Sequence, residues 1–180
     1  MAADFVSERG GGLLVLGGRS FVERGLAGTA LEPVLPVELN DRRGVLHAAL
    51  DRGQATHNKI VITPEGEAHP VMRIGASPAD TRRLWSALPP LAASAPLGGP
   101  RPGATVLAVT EAAGGDYPVI AAQRYGRGRS LIFAGEASWR WKMMLAASDR
   151  SYEFFWRQSA RWLASPAPDP VGPARRSARQ

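Results

Sequence analysis

Tyr117 to Leu163 constrains the fold most, because it packs four of the five tryptophans into a strand, a tight turn, a strand, a loop and a helix. Val119–Arg124 and Ser130–Ala134 are apolar runs of strand length, joined by Tyr125-Gly126-Arg127-Gly128-Arg129. Glycines in so short a connection supply the positive φ that a β-hairpin needs. The second strand runs out through Ala134-Gly135-Glu136 into Ala137-Ser138-Trp139-Arg140-Trp141. Ser148 or Asp149 is placed to cap a following helix by accepting a hydrogen bond from a first-turn amide. Tyr152, Phe155, Trp156, Ser159 and Leu163 then share one helical face. Such a hairpin and closing helix need a larger sheet to pack on.

The rest of the chain offers strands for that sheet. Asp4–Arg9 reads as the end of a helix stopped by Gly10-Gly11-Gly12. Leu13-Leu14-Val15-Leu16 is apolar without alternation, as expected of a buried, central, parallel strand. The segment from Leu31 to Val37 carries too much proline for a helix interior. Ile60–Thr63 reads as a short strand and Pro64-Glu65-Gly66 as a turn. His69-Pro70 reads as extended, because proline biases its predecessor away from helix. Ser77-Pro78-Ala79-Asp80 starts a helix carrying Leu84, Trp85 and Leu88, with serine capping and proline in the first turn. Leu91–Pro102 reads as a loop, Thr105–Thr110 as a β-branched strand, and Glu111–Asp116 as a turn. The predicted class is α/β, with one domain over residues 1–164 and a disordered Pro/Arg-rich tail over 165–180.

Composition excludes several functions. There is no cysteine, so disulfides, thiolate metal sites and a thiol nucleophile are ruled out. The formal charge is +6, of which Arg175, Arg176 and Arg179 against Asp169 give +2 in the tail. The remaining arginines are interspersed with acids, which argues against nucleic acid as a partner. No apolar run approaches a membrane span, and the chain as supplied reads as soluble. His47, His57 and His69 lack the helical pair spacing of a metal site and read as solvated surface residues, so neither a metal nor a cofactor is expected.

Taken together, FVSERGGGLLVLGGRSF, GTALEPVLPVEL, HPVMRI, LWSALPPL, GATVLAV, QRYGRGRSLIFAGEASWRW and FFWRQSARWL follow in an order that resembles a known family. It is the glutamine-amidotransferase-like domain of large bacterial membrane proteins, often found with von Willebrand factor A-type domains. The resemblance spans residues 4 to 164 and implies a flavodoxin-like sheet of the class I amidotransferase type. It also implies that the first strand–helix units of that sheet lie upstream of Met1, within a membrane-anchored parent. The family's catalytic cysteine would follow the Leu13–Leu16 strand, where Gly17, Gly18, Arg19 and Ser20 stand. Its His-x-Glu pair would follow Ser130–Ala134, where Gly135, Glu136 and Ala137 stand. Amidotransferase chemistry, a thiolate attacking a carboxamide with histidine as proton shuttle, therefore lacks its groups.

What remains is a non-catalytic binding or scaffold domain. Its candidate surface is Gly17, Gly18, Arg19, Ser20, Glu136, Ser138, Trp139 and Trp141, at the strand ends where open α/β sheets bind ligands. Trp139-Arg140-Trp141-Lys142 is read chiefly as packing, with an aromatic–basic contact as the other reading. The Gly126–Arg129 amides are weighed as an anion nest but read as hairpin geometry. The alternative function is a hydrolase of different chemistry using Ser20 or Glu136, although Gly18-Arg19-Ser20-Phe21-Val22 lacks the second glycine of a nucleophile elbow. The expected partner is another protein or the upstream half of the same polypeptide, with self-association expected if that half is absent.

Overall fold

The computed structural model describes residues 1–17, 26–39, 47–48, 58–95, 97–112 and 115–165. In chain order the elements are α1 (Ala2–Ser7), β1 (Gly12–Leu16), β2 (His47–Ala48), β3 (Ile60–Ile62), α2 (Pro64–Ala68), α3 (Pro78–Ala87) and β4 (Ala93–Ser94). They continue with β5 (Ala104–Ala112), β6 (Gly115–Tyr125), β7 (Gly128–Phe133), β8 (Gly135–Glu136), α4 (Arg140–Met144) and α5 (Ser151–Ala164). The architecture is α/β. A mixed five-stranded sheet runs in the order β1-β7-β6-β5-β3, and β2-β4-β8 forms a small second sheet.

Strands β5, β6 and β7 form an antiparallel meander, β3 adds antiparallel to β5, and β1 adds parallel to β7. The β6–β7 turn is tighter than the sequence reading, because Tyr125 already pairs with Gly128 and only Gly126 and Arg127 turn the chain. Gly126 alone there takes a positive φ, 58°. Within the stretch read as a turn, Glu111 pairs with Asp116 and Ala112 with Gly115 as the ends of β5 and β6, and residues 113–114 lie outside the described residues.

Strand β1 is parallel, as its continuous apolar run predicts, but it is not central. Among the described residues it pairs only with β7, and Leu16 is 47% exposed. An unbroken apolar run reports that both faces of a strand are covered, not that it has two neighbours. Here one face meets α5, where a Cβ on Gly12 would strike Leu163, and Val15 is buried on the other.

Local signals set the helices. Ser77 Oγ accepts from Asp80 N (3.1 Å) and Pro78 fills the first helical turn of α3. Pro64-Glu65-Gly66 opens a short helix instead of a turn, since Thr63 Oγ1 accepts from Gly66 N (2.9 Å) while donating to Val106 O (2.7 Å). Asp149 Oδ1 accepts from Ser151 N (2.8 Å), so Asp149, not Ser148, fastens the start of α5. Leu91–Pro102 is interrupted by β4, which pairs with both β2 and β8. The proposed tail from residue 166 lies outside the described residues.

Two layers close over the sheet. On the α5 side Leu131 and Phe133 meet Phe155, with Trp85 and Trp141 completing a buried aromatic cluster. On the other side the segment through Val34, Leu35 and Val37 is buried. The Val34 carbonyl accepts from Gln123 Nε2 (2.7 Å) and Ser130 Oγ (2.5 Å), cross-strand neighbours on β6 and β7. Those two bonds satisfy the only polar side chains that this part of the sheet buries on that face.

Candidate functional site

The carboxyl ends of β1 and β7 lie side by side, as the sequence reading requires. Gly17 N donates to Phe133 O (2.9 Å), continuing the β1–β7 ladder by one residue. Gly18, Arg19 and Ser20, three of the candidate residues, lie outside the described residues. On the β7 side Gly135 and Glu136 form β8, with Glu136 opposite Ala93 and Gly135 opposite Ser94. A Cβ at Gly135 would collide with Leu91. A larger residue at this position would require the end of the Leu91 side chain to shift. Ala137 follows with φ 58°, a left-handed conformation unusual for a residue with a Cβ, and turns the chain into α4.

The two tryptophans of the SWRW sequence part company. Trp141 is 1% exposed, stacks edge-on with Trp85 (5.9 Å) and Phe133 (5.9 Å), and donates from Nε1 to Pro89 O (3.0 Å). Trp139 is 59% exposed. Met143, four residues on and so on the same side of α4, is 72% exposed, and Met144 is 57% exposed. Lys142 Nζ meets Glu153 Oε1 at 2.7 Å and holds α4 against α5. The hydrogen bond from Lys142 keeps the Glu153 carboxyl below its usual range. Ser138 accepts from Trp141 N through its carbonyl (3.0 Å), a turn contact, and its side chain is half-buried. Of the eight candidate residues, the structure thus leaves Trp139 as an exposed contact and Trp141 as core.

Neither a model of any known family nor any curated protein matches the sequence. Solved structures do match the fold. The chain is similar to Cytoplasmic Protein STM1381 from Salmonella typhimurium LT2, at 23% identity and a TM-score of 0.64, over 89% of this chain and 58% of that one. It is also similar to Cytoplasmic Protein STM3548 from Salmonella typhimurium, at 22% identity and a TM-score of 0.55, over 89% and 57%. The chain therefore spans under three-fifths of the length of these two structures. At such identities the likeness concerns the fold alone.

Among the described residues no helix is long and apolar enough to cross a membrane, and no group of histidine and acidic side chains is gathered as a metal site. The sequence reading misses two clusters. One is buried: Ser94 Oγ donates to Asn58 Oδ1 (2.6 Å) and lies 3.4 Å from Thr110 Oγ1. Asn58 is fully buried at φ 68°, a left-handed conformation that asparagine tolerates better than most residues.

The other is a cleft of about 270 Å³ at the opposite end of the sheet, lined by His69, Thr105, Arg124, Arg129 and Trp162 among others. His69 is half-buried, not a solvated surface residue. Its Nδ1 accepts from Val71 N (3.3 Å), and its ring meets Trp162 edge-on at 5.1 Å. Burial first, then the Arg129 charge, pushes its pKa down to about 4. Arg129 Nη1 donates to Trp162 O (2.7 Å) and its guanidinium lies 5.0 Å from the Trp162 ring centre. The cation over an indole thus involves Arg129 and Trp162, not Arg140. The hairpin amides weighed as an anion nest are committed elsewhere, Arg127 N to Ser7 O (2.7 Å) and Arg129 N to Gly11 O (3.2 Å).

Proposed function

We propose that the chain is a non-catalytic binding or scaffold domain of the glutamine-amidotransferase-like, flavodoxin-like class, acting within a larger envelope-associated bacterial polypeptide. Its contact surface is Trp139 with Met143 and Met144, at the carboxyl end of β7. The observation that carries this reading is the exposure of three large apolar side chains at the strand ends, Trp139 at the N-cap of α4 and Met143 and Met144 on that helix. Exposed apolar side chains gathered in this way mark contact sites, whereas scattered ones need no explanation. Methionine suits such a surface because its unbranched thioether adapts to the partner's shape. The absence of cysteine from the sequence supports a binding role over amidotransfer. The partner is a protein with an apolar face, either separate or contributed by another part of the same polypeptide.

A photo-crosslinking side chain at Met143, compared with one at exposed Arg82, tests the reading in the native cell. One defined adduct from Met143 and none from Arg82 is expected; equal labelling from both would count against it. Glutaminase and esterase assays on the purified chain are expected to show no turnover. Turnover abolished by Ser20→Ala would establish a hydrolase instead.

A further inference from the structure

We infer that Met143 and Met144 are a redox-modification site, where a peroxide converts exposed thioethers to sulfoxides and turns the contact surface from apolar to polar. The selectivity of that chemistry follows from burial. Its effect on binding rests on the contact role proposed above for Trp139, Met143 and Met144.

The fold sorts the sulfur atoms. The sequence has four methionines and no cysteine, so no thiol competes for the oxidant. Met72 is fully buried, in the core that also holds Trp85, whose Nε1 donates to Met72 O (2.8 Å). Met1 is open, but it precedes α1 and is not part of the contact surface. Met143 and Met144 are both exposed and are consecutive on one short helix. A peroxide reaches their sulfur atoms without any opening of the fold, whereas Met72 requires one.

The step balances without help from other residues. A sulfur lone pair attacks one peroxide oxygen, the O–O bond breaks and an S–O bond forms. The departing hydroxide takes the proton left on the sulfur-bound oxygen and leaves as water. The thioether is oxidised by two electrons and the peroxide is reduced by two. A dithiol reductant reverses the change, returning the thioether and giving a disulfide and water.

The anchors of α4 keep the change local. Trp141 is buried against Trp85 and Phe133 and bonds to Pro89 O, and Lys142 holds Glu153. None of these contacts uses a methionine side chain. Oxidation replaces an adaptable apolar side chain by a polar one. Pressed against an apolar partner, a sulfoxide oxygen loses its hydration without a hydrogen bond in return. Two such groups on α4 are expected to weaken the contact by about tenfold or more.

Hydrogen peroxide treatment of the purified whole chain, followed by peptide mass mapping, tests the site. Met143 and Met144 are expected to oxidise at least about tenfold faster than Met72 in the folded chain, and at similar rates in concentrated urea. The oxidised chain is expected to melt as the parent does, because neither side chain is packed in the core. For binding, a photo-crosslinking side chain at exposed Ala147, just after α4, is irradiated in the same native extract before oxidation, after it, and after repair by a sulfoxide reductase. The adduct is expected to fall by about tenfold or more on oxidation and to return on repair. Equal oxidation of Met72 in the folded chain, or a lowered melting temperature, would overturn the site. An adduct undiminished by oxidation would overturn the effect on binding. No adduct from the unoxidised chain would overturn the contact reading and that effect with it, while the oxidation rates would still decide the site.

Discussion

His69 has two functions in the fold that depend on its being uncharged. Its Nδ1 caps the short turn of residues 70–72, and its ring fills the space beside Trp162. Burial and the Arg129 charge hold its folded pKa near 4, below the ordinary 6.5 it regains on unfolding. Between those two values the unfolded chain binds the extra proton, so stability is present above pH 6.5 and is lost as pH falls toward 4. The neighbouring Arg129 charge acts in the same direction as burial and does not reverse the sign. A urea midpoint measured against pH is expected to fall across this window. His69→Asn, which retains an acceptor for Val71 N but does not titrate, is expected to flatten that part of the curve. None of this is legible in His69-Pro70 as a dipeptide, because it arises from Trp162 and Arg129, which only the tertiary fold brings there.

Helix α4 shows that spacing, more than residue type, separates core from surface. Trp139 and Trp141 are two residues apart, so on one turn of helix they face nearly opposite ways. Trp141→Ala is expected to cost about 3–5 kcal/mol by opening a cavity between Trp85, Phe133 and Phe155. Trp139→Ala is expected to stay within about 0.5 kcal/mol. Denaturant unfolding of the two variants checks both. The sequence made the strands β5, β6 and β7, the capped α3 and the buried face of α5 readable, because apolar periodicity and capping residues act locally. It did not reveal α2, whose start depends on Thr63 bonding across to Val106. Nor did it reveal β4 and β8, two-residue strands that pair with each other and, for β4, with β2.

At the scale of the whole molecule, β6 and β7 have neighbours on both sides and layers on both faces, while β1 and β3 are the outer strands. Hydrogen exchange is expected to be slowest at Ala121 and Ile132 and clearly faster at the β1 amides; uniform protection would contradict this order. The candidate site was readable as a place, the carboxyl ends of β1 and β7, but its occupants were not. A sequence shows a glycine at residue 135; it does not show that the Leu91 side chain packs against it.

The β1–β7 ladder has a consequence for the order in which the molecule can be made. Strand β1 leaves the ribosome well before β7, the strand it pairs with, because nearly all of the described sheet lies between them in sequence. Closing so long a loop is slow, and nothing rewards it until β7 has emerged. Until β7 emerges, Leu13-Leu14-Val15-Leu16 lacks that partner strand, which makes it an apolar segment of the nascent chain that a chaperone is expected to protect.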